Sequence, residues 1–115
     1  MKLDKLTHEL IAIESVTGDE NKILDYIEQY LASSEFSGEI IRNNGGIIAY
    51  HPSSSSSTAL VGHVDTVPID NNQVFQEDLS KVYGRGSVDM KSGLAVMLEV
   101  LTNNFKDVVA VFYTA

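Results

Sequence analysis

Cysteine is absent from the sequence, and with it go both a disulfide framework and any metal site built on thiolates. A metal bound here would have to be held by His, Asp and Glu. Basic residues are scarce as well: 8 Lys and Arg face 16 Asp and Glu, for a net charge of −8. That balance opposes a nucleic-acid partner, which calls for a basic surface. The acidity permits a cation site without nominating one. Long hydrophobic runs are also missing. The most apolar helical stretch, "GLAVMLEVL", is interrupted by Glu99 and falls far short of the roughly 20 residues that span a bilayer. The opening "MKLDKLTHEL" is charged from its second residue and lacks the apolar core of a targeting segment. No repeat or linker is visible. These absences point to a soluble, cytoplasmic protein with no membrane partner. At 115 residues it is one domain at most, or a piece of one, and long enough to bury a core.

What is present reads as alternating helices and strands. Leu3, Leu6, Leu10 and Ile13 are spaced for one face of a helix. "SVTGDEN" ends it, and Thr17 followed by Glu20 fits a capping box for a second helix, whose buried stripe is Ile23, Leu24, Ile27 and Leu31. "FSGEIIRNNGGIIAYHP" predicts two short strands joined by a turn, with Asn44, Gly45 and Gly46 supplying residues that tolerate positive φ. The serines Ser53 to Ser57 read as a solvated loop rather than a phosphosite cluster. "TALVGHV" predicts a strand, "VPIDNNQVFQED" a long loop, Lys81 to Tyr83 a short strand and "GRGS" a turn. Leu94, Met97, Leu98 and Leu101 form the apolar face of a third helix, and "DVVAVFYTA" is a buried strand rich in β-branched and aromatic residues. This order indicates an α/β fold with a mixed, mostly parallel sheet flanked by helices.

Two stretches carry chemistry. In "TALVGHVDTVP" an apolar strand ends in His63 and Asp65. Residues two apart on a strand face the same way, and ligand crevices of α/β sheets lie at the strands' C-terminal ends. An imidazole is a good zinc ligand, and a carboxylate can accept its other ring N–H. An isolated H-x-D also reads as a polar strand end entering a loop. The second stretch is "VYGRGSVDMKSGLAVML", in which Gly84 and Gly86 permit a tight turn and Asp89 precedes an amphipathic helix. A phosphate-binding glycine loop fails here on charge, because Asp89 stands where the dinucleotide fingerprint needs its third glycine. Asp89 reads either as a helix N-cap or as a carboxylate directed at a cation.

In this order, "GHVDTVP" and "YGRGSVDMKSG" resemble the aminoacylase and carboxypeptidase family of two-zinc hydrolases, and the similarity extends through most of the chain. The resemblance implies a zinc-peptidase-like catalytic domain that hydrolyses the amide bond of a small N-acyl amino acid. The wording of the motifs and the compact loop after Pro68 favour N-succinyl-L,L-diaminopimelate. Other acyl amino acids or peptides are the alternatives, and a truncated non-catalytic product is the rival from another class. By the same resemblance His63 would bind one zinc and Asp89 would bridge two, zinc being replaceable by cobalt. Asp65 would be the catalytic carboxylate that stands behind His63 and orients its ring, and the peptide bond after Asp89 would be cis. His8 and His51 match no ligand and are expected at the surface.

In the family the strand matching "VFYTA" runs into Asp-Glu-Glu, which supplies the general base and a further ligand. Those residues, the later ligands and a dimerising lid domain would lie beyond Ala115. The expectation is therefore that residues 1–115 are the N-terminal part of the catalytic domain, inactive alone and part of a homodimer when full length.

Overall fold

The computed structural model describes residues 2–52, 55, 58–68, 82 and 84–114. Seven elements follow in order: α1 (Lys2–Ala12), α2 (Asn21–Ser33), β1 (Glu39–Asn43), β2 (Gly46–Tyr50), β3 (Thr58–His63), α3 (Lys91–Thr102) and β4 (Val108–Tyr113). The strands form one sheet in the order β1-β2-β4-β3.

The sheet is mixed, as the sequence suggests, but among the described residues its antiparallel share is larger than expected. Only β3 and β4 run parallel, while β1–β2 and β2–β4 are antiparallel. The reason is the connections. A parallel neighbour needs a crossover, and α3 supplies one between β3 and β4; β1 and β2 are joined directly as a hairpin.

The helical periodicities land where the apolar spacing put them. Ile23, Leu24, Ile27 and Leu31 of α2 are buried, as are Leu94, Met97, Leu98 and Leu101 of α3 and Leu6 and Leu10 of α1. They pack with Ile47 and Ala49 of β2 and Ala110 and Phe112 of β4 in a single core. The opposite face of the sheet is barer. Register sets Ile41, Ile48, Val111 and Val61 side by side across β1, β2, β4 and β3, and of these Ile41, Ile48 and Val61 are exposed.

Several local expectations are corrected. The capping box does not form: Glu20, not Thr17, occupies the N-cap of α2, without a side-chain cap bond. Its Oε1 instead accepts from the Gly18 N–H at 2.5 Å, and the Thr17 hydroxyl is engaged elsewhere. Of the three turn residues only Gly46 has positive φ, +137°. A Cβ there would lie 1.9 Å from the Phe112 carbonyl oxygen, so this glycine serves close approach of β4. The turn itself is tightened by Asn43 Oδ1, which accepts from the Gly45 N–H at 2.8 Å. His51 is buried rather than at the surface, 4% exposed, because its ring stands edge-on to Phe36 with centroids 5.3 Å apart. His8 is exposed, as expected. The "GRGS" turn is present, closed by Ser87 N–H donating to the Gly84 carbonyl at 3.1 Å. Ser55 is exposed; the other serines of that run, the stretch 69–81 and Tyr83 lie outside the described residues, and with them most of the expected long loop and short strand.

Candidate metal centre

β3 carries the first site residue. Gly62, just before His63, has no room for a side chain: a Cβ would meet Met90 Cε at 2.7 Å, Met97 Sδ at 3.0 Å and Leu94 Cδ2 at 3.1 Å. The strand end therefore lies tightly against the start of α3. Beyond the strand Val64 is buried and donates its N–H to the Tyr113 carbonyl at 3.0 Å, which continues the sheet-like course for one more residue. Asp65 follows.

The second element is the turn before α3. Gly86 has φ +93°, and a Cβ on it would lie 2.8 Å from Lys91 Cδ. The Lys91 N–H reaches back to the Gly86 carbonyl at 2.6 Å. Folded in this way, the turn delivers Asp89 toward the end of β3. Asp89 does not cap the helix; Met90 is the N-cap, with no side-chain cap bond. The Asp89–Met90 peptide bond is cis, as expected.

The structure brings His63 and Asp89 together. His63 Nε2 lies 2.9 Å from Asp89 Oδ1, and the Asp89 side chain is 83% exposed, open to solvent on its other side. The Nδ1 contact differs from the expected one. It is the Asp65 backbone carbonyl that sits 2.9 Å from Nδ1, while the Asp65 carboxylate stands 3.4 Å away. A carbonyl only accepts, so Nδ1 carries a proton and Nε2 is the nitrogen facing Asp89. Burial disfavours the imidazolium, yet the Asp65 carbonyl and the nearby Asp89 and Asp65 carboxylates outweigh it and raise the His63 pKa. Thr17, His63, Asp65, Gly86 and Asp89 share the lining of one cleft of about 330 Å³.

Two participants were missed in the sequence. Thr17 donates its hydroxyl to Asp65 Oδ2 at 2.5 Å, a contact across 48 positions that no local pattern announces. Lys91 is 2% exposed and donates Nζ to the Ile13 carbonyl at 2.5 Å, pinning the start of α3 to the end of α1. Burial pushes its pKa down to about 8, with Glu14 opposing. Its signal was legible: Lys91 stands one turn before Leu94 and two before Leu98, on the buried stripe of α3.

A donor set of imidazole nitrogen and carboxylate oxygen suits a divalent metal, so the pair fits part of a coordination shell. Among the described residues no group of three potential metal-binding side chains occurs.

With this geometry in view, comparison with known proteins gives a consistent answer. The sequence model of peptidase family M20/M25/M40 matches residues 59–114. That stretch holds both site segments, and through it the chain is similar to this family. A curated relative, succinyl-diaminopimelate desuccinylase of Corynebacterium glutamicum, is 42% identical over 95 residues, covering 81% of this chain and 26% of the relative. The chain thus spans about a quarter of that relative's length. Among solved structures, human carnosine dipeptidase 1 superposes with a TM-score of 0.75 at 17% identity, over 96% of this chain and 31% of the other. A dinuclear metal-binding peptidase of the M20 family from Bacillus subtilis gives 0.63 at 18% identity, over 98% and 34%. At these identities the two structures establish the fold alone.

Proposed function

We propose that this chain is the N-terminal part of the catalytic domain of a metal-dependent hydrolase that cleaves the amide bond of an N-acyl amino acid. One observation carries the reading: His63 Nε2 and Asp89 Oδ1 converge to 2.9 Å at a strand's C-terminal end while Nδ1 is committed to the Asp65 carbonyl. The imidazole Nδ1 is committed to the backbone, and Nε2 is paired with an exposed carboxylate whose place as its partner a bound cation would take. His63 would be a ligand of one ion and Asp89, through its two oxygens, the ligand shared by two. Remaining ligands and the general base would come from outside the described residues. Two divalent ions held there, zinc or cobalt, would supply polarisation of the scissile carbonyl and acidification of water. Asp65, flanking the imidazole, holds negative charge beside it and is read as the catalytic second carboxylate.

For the substrate, the relatives named succinyl-diaminopimelate desuccinylase support N-succinyl-L,L-diaminopimelate, hydrolysed to succinate and L,L-diaminopimelate. Another acyl amino acid, as in an acetylornithine deacetylase-like enzyme, is the alternative. A homodimeric full-length enzyme in the cytoplasm, with no nucleic-acid or membrane partner, belongs to the same reading; among the described residues no helix is long and apolar enough to cross a membrane.

The test compares residues 1–115 with a chain extended over the length of the relatives, both supplied with zinc. The short chain is expected to bind metal weakly and release no amine from N-succinyl-diaminopimelate. The extended chain is expected to turn it over, and His63→Ala or Asp89→Ala to abolish turnover together with bound metal. Robust turnover by the short chain, or an extended chain inert toward a panel of N-acyl amino acids, would overturn the proposal.

A further inference from the structure

The junction between α1 and α2 does more than link two helices. Val16 bridges to Thr66 in parallel. The Thr66 N–H donates to the Ser15 carbonyl at 2.9 Å, and the Thr17 N–H donates to the Thr66 carbonyl at 3.1 Å. Ser15 Oγ donates to the Val64 carbonyl at 2.8 Å. Residues 15–17 and 64–66 are therefore laced together by their backbones on either side of Asp65. Out of this fixed frame the Thr17 hydroxyl reaches Asp65 Oδ2 at 2.5 Å. Its alternative acceptor, the Thr66 carbonyl, is 3.3 Å away, so the proton goes mainly to the carboxylate.

We propose that Thr17 is a positioning residue: its hydroxyl fixes the rotation of the Asp65 carboxylate and thereby the electrostatic surroundings of the His63 ring. Among the described residues no other contact holds that carboxylate as closely. Asp65 Oδ1 is 3.4 Å from His63 Nδ1, a long contact beside the 2.9 Å bond that Nδ1 makes to the Asp65 backbone carbonyl. A carboxylate with two free side-chain torsions would otherwise turn toward water in the cleft. A charge-assisted O–H···O bond opposes that rotation, and the β-branched threonine presents its hydroxyl from a restricted χ1. With Oδ2 engaged by Thr17, Oδ1 is left facing the imidazole.

The catalytic consequence depends on the proposed amide hydrolysis, whereas the effect on His63 does not, and the experiment separates them. In the 115-residue protein without metal, the ring nitrogen resonances of His63 are recorded by NMR for the parent, Thr17→Val, Thr17→Ala and Thr17→Ser. In the extended chain loaded with zinc, kcat and KM are measured for the same set. The expected result is a shift of the His63 resonances in both hydroxyl-free variants and a return to the parent position in Thr17→Ser. Turnover is expected to fall about ten-fold in kcat in those two variants, in the range typical of supporting residues around a metal ligand. KM should stay unchanged and Thr17→Ser should recover most of the rate. Because the junction is held by backbone bonds, Thr17→Val should melt within a few degrees of the parent. His63 resonances that ignore the loss of the hydroxyl, or a serine variant as impaired as valine, would overturn the proposal. So would unfolding of both hydroxyl-free variants, which would make the bond a structural one. An extended parent chain that hydrolyses nothing would refute the functional reading and leave the resonances to decide this one.

Discussion

Asp65 does two jobs with different atoms. Its backbone carbonyl fixes the tautomer of His63, and its carboxylate supplies charge close by. Substitution separates the two, because a side-chain change leaves the carbonyl in place. Asp65→Asn should therefore retain metal in the extended enzyme while losing about 10–100-fold in turnover. His63→Ala should lose both. Metal content per chain, measured beside the rate, distinguishes these outcomes. His51 offers a second residue-scale test, on stability. Burial, then the nearby Lys106 charge, lower its pKa below the ordinary 6.5. As pH falls through 6.5 toward that lowered value, the unfolded chain takes up a proton that the folded chain refuses. Stability therefore drops across this window, and the loss is complete once the folded-state pKa is passed. His51→Phe, which keeps an aromatic ring against Phe36, should gain on the parent in denaturant midpoint between pH 7 and 5.

At the scale of elements, two glycines within strands make unequal demands. At Gly46 a Cβ would strike the Phe112 carbonyl at 1.9 Å, and φ is +137°. At Gly62 the nearest atoms are side-chain ends of Met90, Met97 and Leu94, which can turn aside. Gly46→Ala should thus be the more damaging of the pair, pushing β2 away from β4, while Gly62→Ala should cost less stability and chiefly disturb the His63–Asp89 approach. Paired denaturant melts order the two. The same distinction explains what the sequence could reveal. The stripes of α2 and α3 were legible because burial there follows a 3.6-residue period, and the β1–β2 hairpin because its turn chemistry is local. His63, Asp65 and Asp89 could be singled out as chemically unusual near a strand end and a helix start. The Thr17–Asp65 bond and the burial of His51 against Phe36 could not, since each depends on tertiary placement. The capping box failed for a related reason: Thr17 has the right spacing to Glu20, but α2 begins only at Asn21 and the hydroxyl has a better acceptor.

For the molecule as a whole, the sheet has one face under three helices and another on which Ile41, Ile48 and Val61 remain exposed, 47%, 36% and 58%. That row crosses all four strands. Among the described residues β3 stands at the edge of the sheet and contributes to it with no charged residue before His63, and uncharged edges invite pairing between copies. A shared net charge of −8 opposes such association at neutral pH. The isoelectric point lies near 4.6, so acidification removes that repulsion and salt screens it. Colloidal behaviour follows from this geometry: turbidity and light scattering of the 115-residue chain should rise steeply as pH approaches 4.6, and should rise with added salt at pH 7. Val61→Lys, placed at the most exposed member of the row, should raise the concentration at which scattering begins at pH 4.6 without lowering the melting temperature appreciably. In preparing the protein, buffer pH and ionic strength would then set the concentration it can reach.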